Sequence, residues 1–226
     1  MLIGTIASGD GVVTTISGQS KADEFLVIGS VAGLPNLKSF TVEIDGVTTL
    51  QISDTNLLNA FAQYLMEVTK DGDGEAIVGA ILKPCTGLIR QNTTYRFTNS
   101  EDVAKNVYAF STEPSGVPVE AGSKTITSLS SETFEKFTAL LIVNHANIDS
   151  LQIDFTSGHR DTLSVVEASA LFNFTNQAEE AGRLVGGNVL VIDNSKQTFK
   201  SVRVNTSSGG QCTVLKIKLP DYVFEK

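Results

Sequence analysis

The chain has few of the residues from which binding platforms and metal centres are usually built. Its 226 residues include no Trp, four Tyr and two His. Sugar-binding jelly rolls stack sugar rings on exposed Trp and Tyr, so this composition disfavours carbohydrate recognition while leaving it open. Metal-binding barrels of the cupin kind need closely spaced His residues and a Glu, and no His-x-His is present. We therefore expect no metal and no cofactor, with His145 and His159 as ordinary loop residues.

The chain also lacks long apolar runs and basic clusters. No apolar run approaches the roughly 20 residues that span a bilayer, and no charged-then-apolar signal sequence opens the chain. We therefore expect a soluble chain that is made in the cytoplasm. The net charge is −8, without a Lys/Arg-rich arm or patch. This argues against direct contact with nucleic acid, which such patches neutralise.

What the sequence does have is an internal repeat. Segment 36–46 matches segment 147–158 at an offset of 111 residues, and each begins with Asn, alternates apolar and polar residues and ends with Gly. This pattern is typical of a half-buried strand closed by a turn. The offset drifts, from 113 at Phe61 to 107 at Arg96, only in turn-rich parts, where insertions are tolerated. The other matched strands are 2–6 with 117–119, 12–17 with 124–130, 25–28 with 140–143, 49–50 with 162–163, 77–79 with 184–186, 95–97 with 202–204 and 106–110 with 213–217.

After the fifth matched strand the apolar period changes from two to about 3.6, which predicts one helix in each half. In the first half Leu57, Phe61 and Leu65 lie four residues apart, behind Ser53 and Asp54 as candidate caps. A stripe of this kind could be a partner-binding groove, but it usually faces a core. The outward residues would then be Asn56, Asn59 and Gln63, and the helix is expected to stop at Asp71-Gly72.

The second half predicts a matching helix. Residues Ser164 to Glu167 have the spacing of a capping box. Leu171 and Phe174 are expected where the first half has Leu58 and Phe61. Gly182 is expected to end the helix.

Together these patterns predict an all-β chain of two tandem eight-stranded jelly-roll barrels, each with one short helix between its fifth and sixth strands. The first barrel is expected at 1–112 and the second at 117–226, joined by a Pro/Gly linker at 113–116. Each is large enough to bury its own core. Within each barrel we expect strands one, eight, three and six in one sheet and strands two, seven, four and five in the other.

The two cysteines, Cys85 and Cys212, are expected to be free thiols. They occupy non-equivalent places in the repeat, one after an apparent strand and the other at the start of the last strand. An inherited disulfide framework would place its partners in register in both copies.

Few segments suggest chemistry. Residues 71–75, which contain Asp71, Asp73 and Glu75, resemble a cation loop but lack the later ligands and the bidentate Glu of a calcium hand, and a helix stop followed by a polar turn explains them fully. Gly209-Gly210 precedes a strand rather than a helix, so it indicates no phosphate cradle. Glu43 and Asp154 alternate with apolar residues, as acids on the solvated face of a sheet do. We therefore expect no catalytic site.

The doubled order of eight strands and one helix resembles the double jelly roll of the major capsid proteins of tailless icosahedral viruses with an internal membrane, such as the tectivirus-like and corticovirus-like bacteriophages. The resemblance covers the whole chain and is architectural, without a signature peptide. It implies a virion protein that forms a homotrimer, packs against neighbouring capsomers and minor or penton capsid proteins, and faces a membrane or membrane proteins rather than nucleic acid. The chain has no room for long tower loops, which implies an outer surface of low relief.

The resemblance leads to a structural capsid protein, made in the host cytoplasm, as our functional hypothesis. The alternative is a tandem β-sandwich binding module that recognises carbohydrate or protein from an appendage or surface. Such a module would carry an exposed aromatic or carboxylate cluster in the loops at one end. A double-cupin enzyme is a third reading, which predicts bound metal.

Overall fold

The structure, a computed structural model, describes residues 2–18, 23–29, 37–58, 60–61, 80–82, 92–112, 120–172 and 189–218. The chain divides into two compact units, and it passes from the first into the second between Gly122 and Ser123. The strands described before this point are β1 Leu2–Ile6, β2 Val13–Ser17, β3 Asp23–Gly29, β4 Leu37–Ile44, β5 Val47–Ile52, β6 Ala80–Leu82, β7 Thr93–Asn99 and β8 Lys105–Thr112. β9 Glu120–Ile126 spans the passage, and the second unit continues with β10 Ser131–Glu135, β11 Ala139–Val143, β12 Ile148–Phe155, β13 Arg160–Ser164, β14 Val189–Asp193, β15 Phe199–Thr206 and β16 Cys212–Lys218.

Helical structure follows the fifth strand of each set of eight. The first helix, α1, is described at positions 55–58 and 60–61, and the second, α2, spans Val165–Phe172. A short 3-10 helix at His145–Asn147 joins β11 to β12. No helix in the described ranges is both long enough and apolar enough to cross a bilayer.

The strand order is the predicted one in both copies. In the first, β1-β8-β3-β6 and β2-β7-β4-β5 are the orders of the two groups of four. In the second, β9-β16-β11-β14 and β10-β15-β12-β13 repeat them. The all-β, two-jelly-roll prediction is confirmed.

The best-matched segments of the sequence form equivalent strands. β4 and β12 each have eight residues, take the fourth place in their copy, and bury their alternate residues. Both also have an irregular register against the seventh strand, between Leu37 and Ser39 in β4 and between Ile148 and Ser150 in β12. These positions differ by the predicted 111 residues, so the repeat extends to a local irregularity of the backbone.

The core of the second unit lies between its two sheets. Residues from β11, β12, β14, β15 and β16 meet there, and α2 adds Ala168. β11 has all five residues buried, as expected for an apolar run that is covered on both faces. The fully buried core residues of this unit include Leu140, Ile142, Leu151, Leu190, Ile192, Val202, Val204, Cys212 and Val214.

Both helices begin as the sequence predicts. In α1 the backbone N–H of Leu57 donates to Asp54 Oδ1 over 2.9 Å, so Asp54 is the N-cap. In α2 the N–H of Glu167 donates to Ser164 Oγ over 3.3 Å, while Glu167 Oε2 accepts from the Ser164 N–H over 2.8 Å. This reciprocal pair is the predicted capping box.

The predicted match of Leu171 with Leu58 is wrong. Leu171 was matched with Leu58, which is 3% exposed, but Leu171 is 65% exposed. Ala168 and Phe172 pack on the core instead, four residues apart. The helical period fixes this outcome, because a residue next to Phe172 is turned by about 100° from it.

Three matched strand pairs were also misplaced. The second strand of the second copy was predicted at 124–130, but Lys124 to Ile126 end β9, and β10 begins at Ser131. The intervening turn places Leu129 at φ 53°, and its sequence contains no Gly, Asn or Pro that would mark it as a turn. The backbone rather than the sequence therefore shows where β9 ends.

The match of 25–28 with 140–143 is off by one residue. Leu26 pairs with Ala109 and Leu140 with Lys216, which makes Leu26 the counterpart of Leu140. An apolar run without alternation does not fix its own register. In the same way, Leu163 pairs with Leu151 as Ile52 pairs with Phe40, so Leu163 corresponds to Ile52 rather than to Leu50.

Several predicted features lie outside the described residues. They are the linker 113–116, the acidic segment 71–75, the strand segments 77–79, 117–119 and 184–186, and residues Asn59, Gln63, Leu65, Cys85, Phe174 and Gly182. The domain bounds 1–112 and 117–226 therefore stay a prediction.

Candidate functional site

Each unit has two ends, and each connection between consecutive strands lies at one of them according to the order of the two strands. Because neighbouring strands run antiparallel, every connection from an odd to an even strand leaves at the same end. We call this the odd–even end. It carries the β1–β2 and β7–β8 connections in the first unit, the β9–β10 and β15–β16 connections in the second, and the starts of both helices.

Two connections are tied together at the odd–even end of the first unit. The N–H groups of Gly9 and Gly11 donate to the carbonyls of Glu101 and Asn99 over 3.0 and 2.8 Å, respectively. The Asn99 N–H in turn donates to the carbonyl of Val12 over 3.0 Å. These bonds join the β1–β2 and β7–β8 connections into one surface.

The second unit is tied in the same way. The N–H of Thr206, which is the counterpart of Asn99, donates to the carbonyl of Ser130 over 3.0 Å. Thr206 Oγ1 also donates to Ser130 O at 3.0 Å and accepts from the Ser130 N–H at 3.1 Å. Leu129 N–H donates to Ser207 O over 3.3 Å. One backbone hydrogen bond is therefore common to both ends, from the last residue of the seventh strand to the residue that precedes the second strand.

The buried side chains at the odd–even ends of the two units differ. In the first unit Lys105, with no exposed side-chain area, directs its Nζ to Asn99 Oδ1 at 2.6 Å and to Glu101 Oε2 at 3.1 Å. In the second unit the corresponding positions hold Cys212 and Thr206. Burial raises the pKa of the Cys212 thiol to about 11, so this group is neutral near pH 7. The Lys-Asn-Glu group was not predicted, although the inward position of Lys105 in the alternation of β8 could have revealed it.

The two acids singled out in the sequence are neutralised on the outer face of their sheets. Glu43 lies 3.3 Å from Arg96 Nη1. Asp154, its counterpart, accepts hydrogen bonds from Arg160 and, over 2.9 Å, from Ser201 Oγ. The Arg160 hydrogen bond, followed by that from Ser201, holds the pKa of Asp154 below its usual value. Both acids thus lie in ion pairs on the sheet surface.

The two histidines lie at opposite ends of the second unit. His145 is buried in the connection from β11 to β12, at the odd–even end. His159 is exposed in the turn between β12 and β13, where its Nε2 lies 2.8 Å from Asp161 Oδ1 and its ring packs against Phe155 at 5.7 Å. They therefore share no site. Within the described ranges no group of three or more His, Cys, Asp and Glu residues is placed to hold a metal ion.

The exposed large hydrophobic residues of the described ranges are all Leu or Val. Six of the eight lie at the odd–even ends, which makes these ends the main exposed apolar surface that is described. Those six are Val12, Val13, Val103, Leu129, Val166 and Leu171, and the other two are Leu2 and Val47.

Comparison with known proteins gives matches in structure and none in sequence. No family model and no curated protein matches the chain. The major capsid protein P2 of bacteriophage PM2 matches with a TM-score of 0.59 and 13% identity, covering 96% of this chain and 94% of that one. The PBCV-1 virus capsid matches at 0.48 with 9% identity (96% and 92% covered), and PBCV-1 VP54, fitted into a reconstruction of the virophage Sputnik, at 0.47 with 10% identity (95% and 92% covered).

At this level of identity the similarity establishes the fold. It extends over nearly the whole length of both chains, so it concerns both units and their order rather than a single barrel. The chain is therefore a double jelly roll, similar in fold from one end to the other to the major capsid protein of bacteriophage PM2.

Proposed function

We propose that the chain is the major capsid protein of a tailless icosahedral virus and that it resides in the virion. The observation that carries this proposal is the duplicated fold together with its end-to-end match to the PM2 capsid protein. The two units repeat strand order, a local register irregularity and one backbone hydrogen bond at the odd–even end. What they share is thus a shape.

A duplicated barrel has a physical use in a shell. Three chains that close around a threefold axis bring six barrels together, and six barrels tile a surface as a hexamer does. Because the two units carry different side chains on one fold, each such trimer has two kinds of barrel in alternation. We infer that the chain forms such pseudo-hexameric trimers, which pack against neighbouring capsomers and against minor or penton capsid proteins.

The inner face of the shell is proposed to meet a membrane or membrane proteins. The net charge of −8 is unsuited to direct neutralisation of nucleic acid. We infer no catalytic role, because Glu43 and Asp154 lie in ion pairs on the sheet surface and the two histidines lie at opposite ends of the second unit.

The assembly state tests this proposal. Size-exclusion chromatography with light scattering on the purified chain should give a trimer of about 72 kDa, three times the 24.1 kDa of the chain. Electron microscopy of concentrated samples should show hexagonal tiles. A monodisperse monomer at all concentrations would contradict the proposal.

Two further measurements separate the alternatives. Binding to a glycan array by a monomeric chain would favour the tandem binding module. Stoichiometric iron, manganese or zinc by elemental analysis would favour a double-cupin enzyme. The exposed large hydrophobic residues in the described ranges include no aromatic side chain.

A further inference from the structure

Lys105 lies in an unusual environment for a lysine. Its side chain has no exposed area, although it stands at the start of β8 beside a surface turn. Its Nζ contacts Asn99 Oδ1 at 2.6 Å, Glu101 Oε2 at 3.1 Å and Val103 O at 3.5 Å. Burying an ammonium group is costly even when it is paired. A reaction that removes this charge would therefore be favoured.

Hydrogen bonds hold the Asn99 side-chain amide in place and activate its carbonyl carbon for attack by a nucleophile. Its Oδ1 accepts the backbone N–H groups of Ser100 at 2.9 Å and Glu101 at 3.2 Å. Two N–H groups on one carbonyl oxygen polarise the carbonyl and stabilise the negative charge that develops when its carbon is attacked. The Asn99 Nδ2 donates to Ala7 O and Val103 O, each at 2.9 Å. These two bonds fix the plane of the amide, and the two carbonyl oxygens can accept hydrogen bonds from the nitrogen as it leaves.

We propose that Lys105 and Asn99 form an intramolecular isopeptide bond, with Glu101 as the proton carrier. Glu101 takes a proton from the Lys105 ammonium, and the free amine attacks Asn99 Cγ, which lies one C=O bond, about 1.2 Å, beyond the oxygen that Nζ already contacts. The Nζ–Cγ bond forms, Glu101 delivers the first proton to Nδ2, and the second Nζ proton, which the amide product does not keep, passes to Glu101. The Cγ–Nδ2 bond then breaks, and one ammonia molecule leaves. No oxidant or cofactor is needed.

The product would be a covalent link across the β7–β8 connection. It would join the last residue of β7 to the first residue of β8 and replace a buried cation by a neutral amide. The second unit provides an internal contrast, because Thr206 and Cys212 take the positions of Asn99 and Lys105 and cannot form this bond. Only one link per chain is therefore expected.

Mass spectrometry of the purified chain tests the proposal. The intact mass should be lower than the sequence mass by one ammonia molecule. Trypsin does not cut after an acylated lysine, so digestion should give one looped fragment, 97–124, that lacks one ammonia. Recovery of an unmodified fragment 97–105 as the main product would overturn the proposal.

Two variants assign the chemistry. Glu101→Gln keeps an oxygen near Nζ but cannot carry the proton, so its mass should show no loss of ammonia. Asp102→Asn alters the neighbouring exposed acid and should lose ammonia as the parent chain does. A loss of ammonia on fragment 97–105 with normal cleavage after Lys105 would indicate a succinimide at Asn99-Ser100 and would also overturn the proposal. So would a full loss in Glu101→Gln.

Discussion

Leu151 provides the sharpest test of how the second unit is held together. It lies in the middle of β12, is 0% exposed, and pairs with Leu163 on one side and Val204 on the other. Leu151→Ala would leave a cavity in the core. The backbone around it is fixed by strand ladders on both sides, so the site can collapse little. We therefore expect a loss of about 3–4 kcal/mol, in the upper half of the range of about 2–5 kcal/mol for buried Leu→Ala changes.

Urea unfolding followed by far-UV circular dichroism measures this loss. With an m-value of about 2–3 kcal/mol/M, the midpoint of the transition should fall by more than about 1 M. The matched control is Leu171→Ala, which removes the same atoms from a side chain that is 65% exposed. The control should change stability by less than about 0.5 kcal/mol. Equal losses in the two variants, or a loss below about 1 kcal/mol in Leu151→Ala, would refute the assignment of the core and of the helix face.

Three further results are expected in the second unit. Ser164→Ala removes the acceptor of the Glu167 N–H, and thermal melting should show a loss of about 1 kcal/mol. Hydrogen bonds, from Arg160 to Asp154 and from the Ser164 N–H to Glu167, hold the pKa values of both acids below their usual values, so their contribution to stability is present above about pH 4 and is lost as the pH falls through the lowered values. The urea midpoint should therefore fall over that window, and Asp154→Asn should weaken the dependence; an unchanged dependence would contradict the assignment. Because burial raises the pKa of Cys212 to about 11, peptide mapping after alkylation at pH 8 should find it labelled only in unfolded protein, and rapid labelling of the native chain would be the contrary outcome.

The parts of the fold that the sequence predicts correctly are those in which one face of a strand meets water. In β4 and β12 polar and apolar residues alternate, so the period of two fixes both the strand and its register. The capping box at Ser164 and the cap at Asp54 were equally readable, because each needs only a local spacing of side chains.

The wrong predictions arise where the local sequence does not fix the register of a strand, the position of a turn or the buried face of a helix. β11 is apolar at every position, so its hydrophobic pattern stays the same when the register shifts by one residue. The turn that contains Leu129 has no residue that favours a positive φ, and the surrounding strands impose the conformation. In α2 the short side chain of Ala168 faces the core, while Leu171, the larger and more apolar residue, faces outward. Packing against the sheets determines these arrangements, and no local conformational preference of the sequence indicates them.

The predictions about candidate sites also succeed where a local pattern is sufficient and fail where it is not. The acids Glu43 and Asp154 were correctly read as members of a solvated sheet face, because alternation alone indicates it. The group of Lys105, Asn99 and Glu101 was missed, since a lysine at an inward position has meaning only once its partners are known. Its three members come from the end of one strand, a turn and the start of the next strand.

The differences between the two odd–even ends bear on how a shell could be built. Both ends belong to the same fold, but the connections of the first carry acidic and those of the second neutral polar side chains. Fully identical barrels could pack in any of six rotations about a local sixfold axis, whereas alternating barrels permit only three. If the chain forms the proposed pseudo-hexameric trimers, divergence after duplication would reduce the number of ways in which a capsomer can meet its neighbours, while the shared fold would keep the six barrels similar in shape. The residues that distinguish the ends are Asp10, Glu101 and Asp102 in the first unit and Ser128, Ser130, Ser207 and Ser208 in the second.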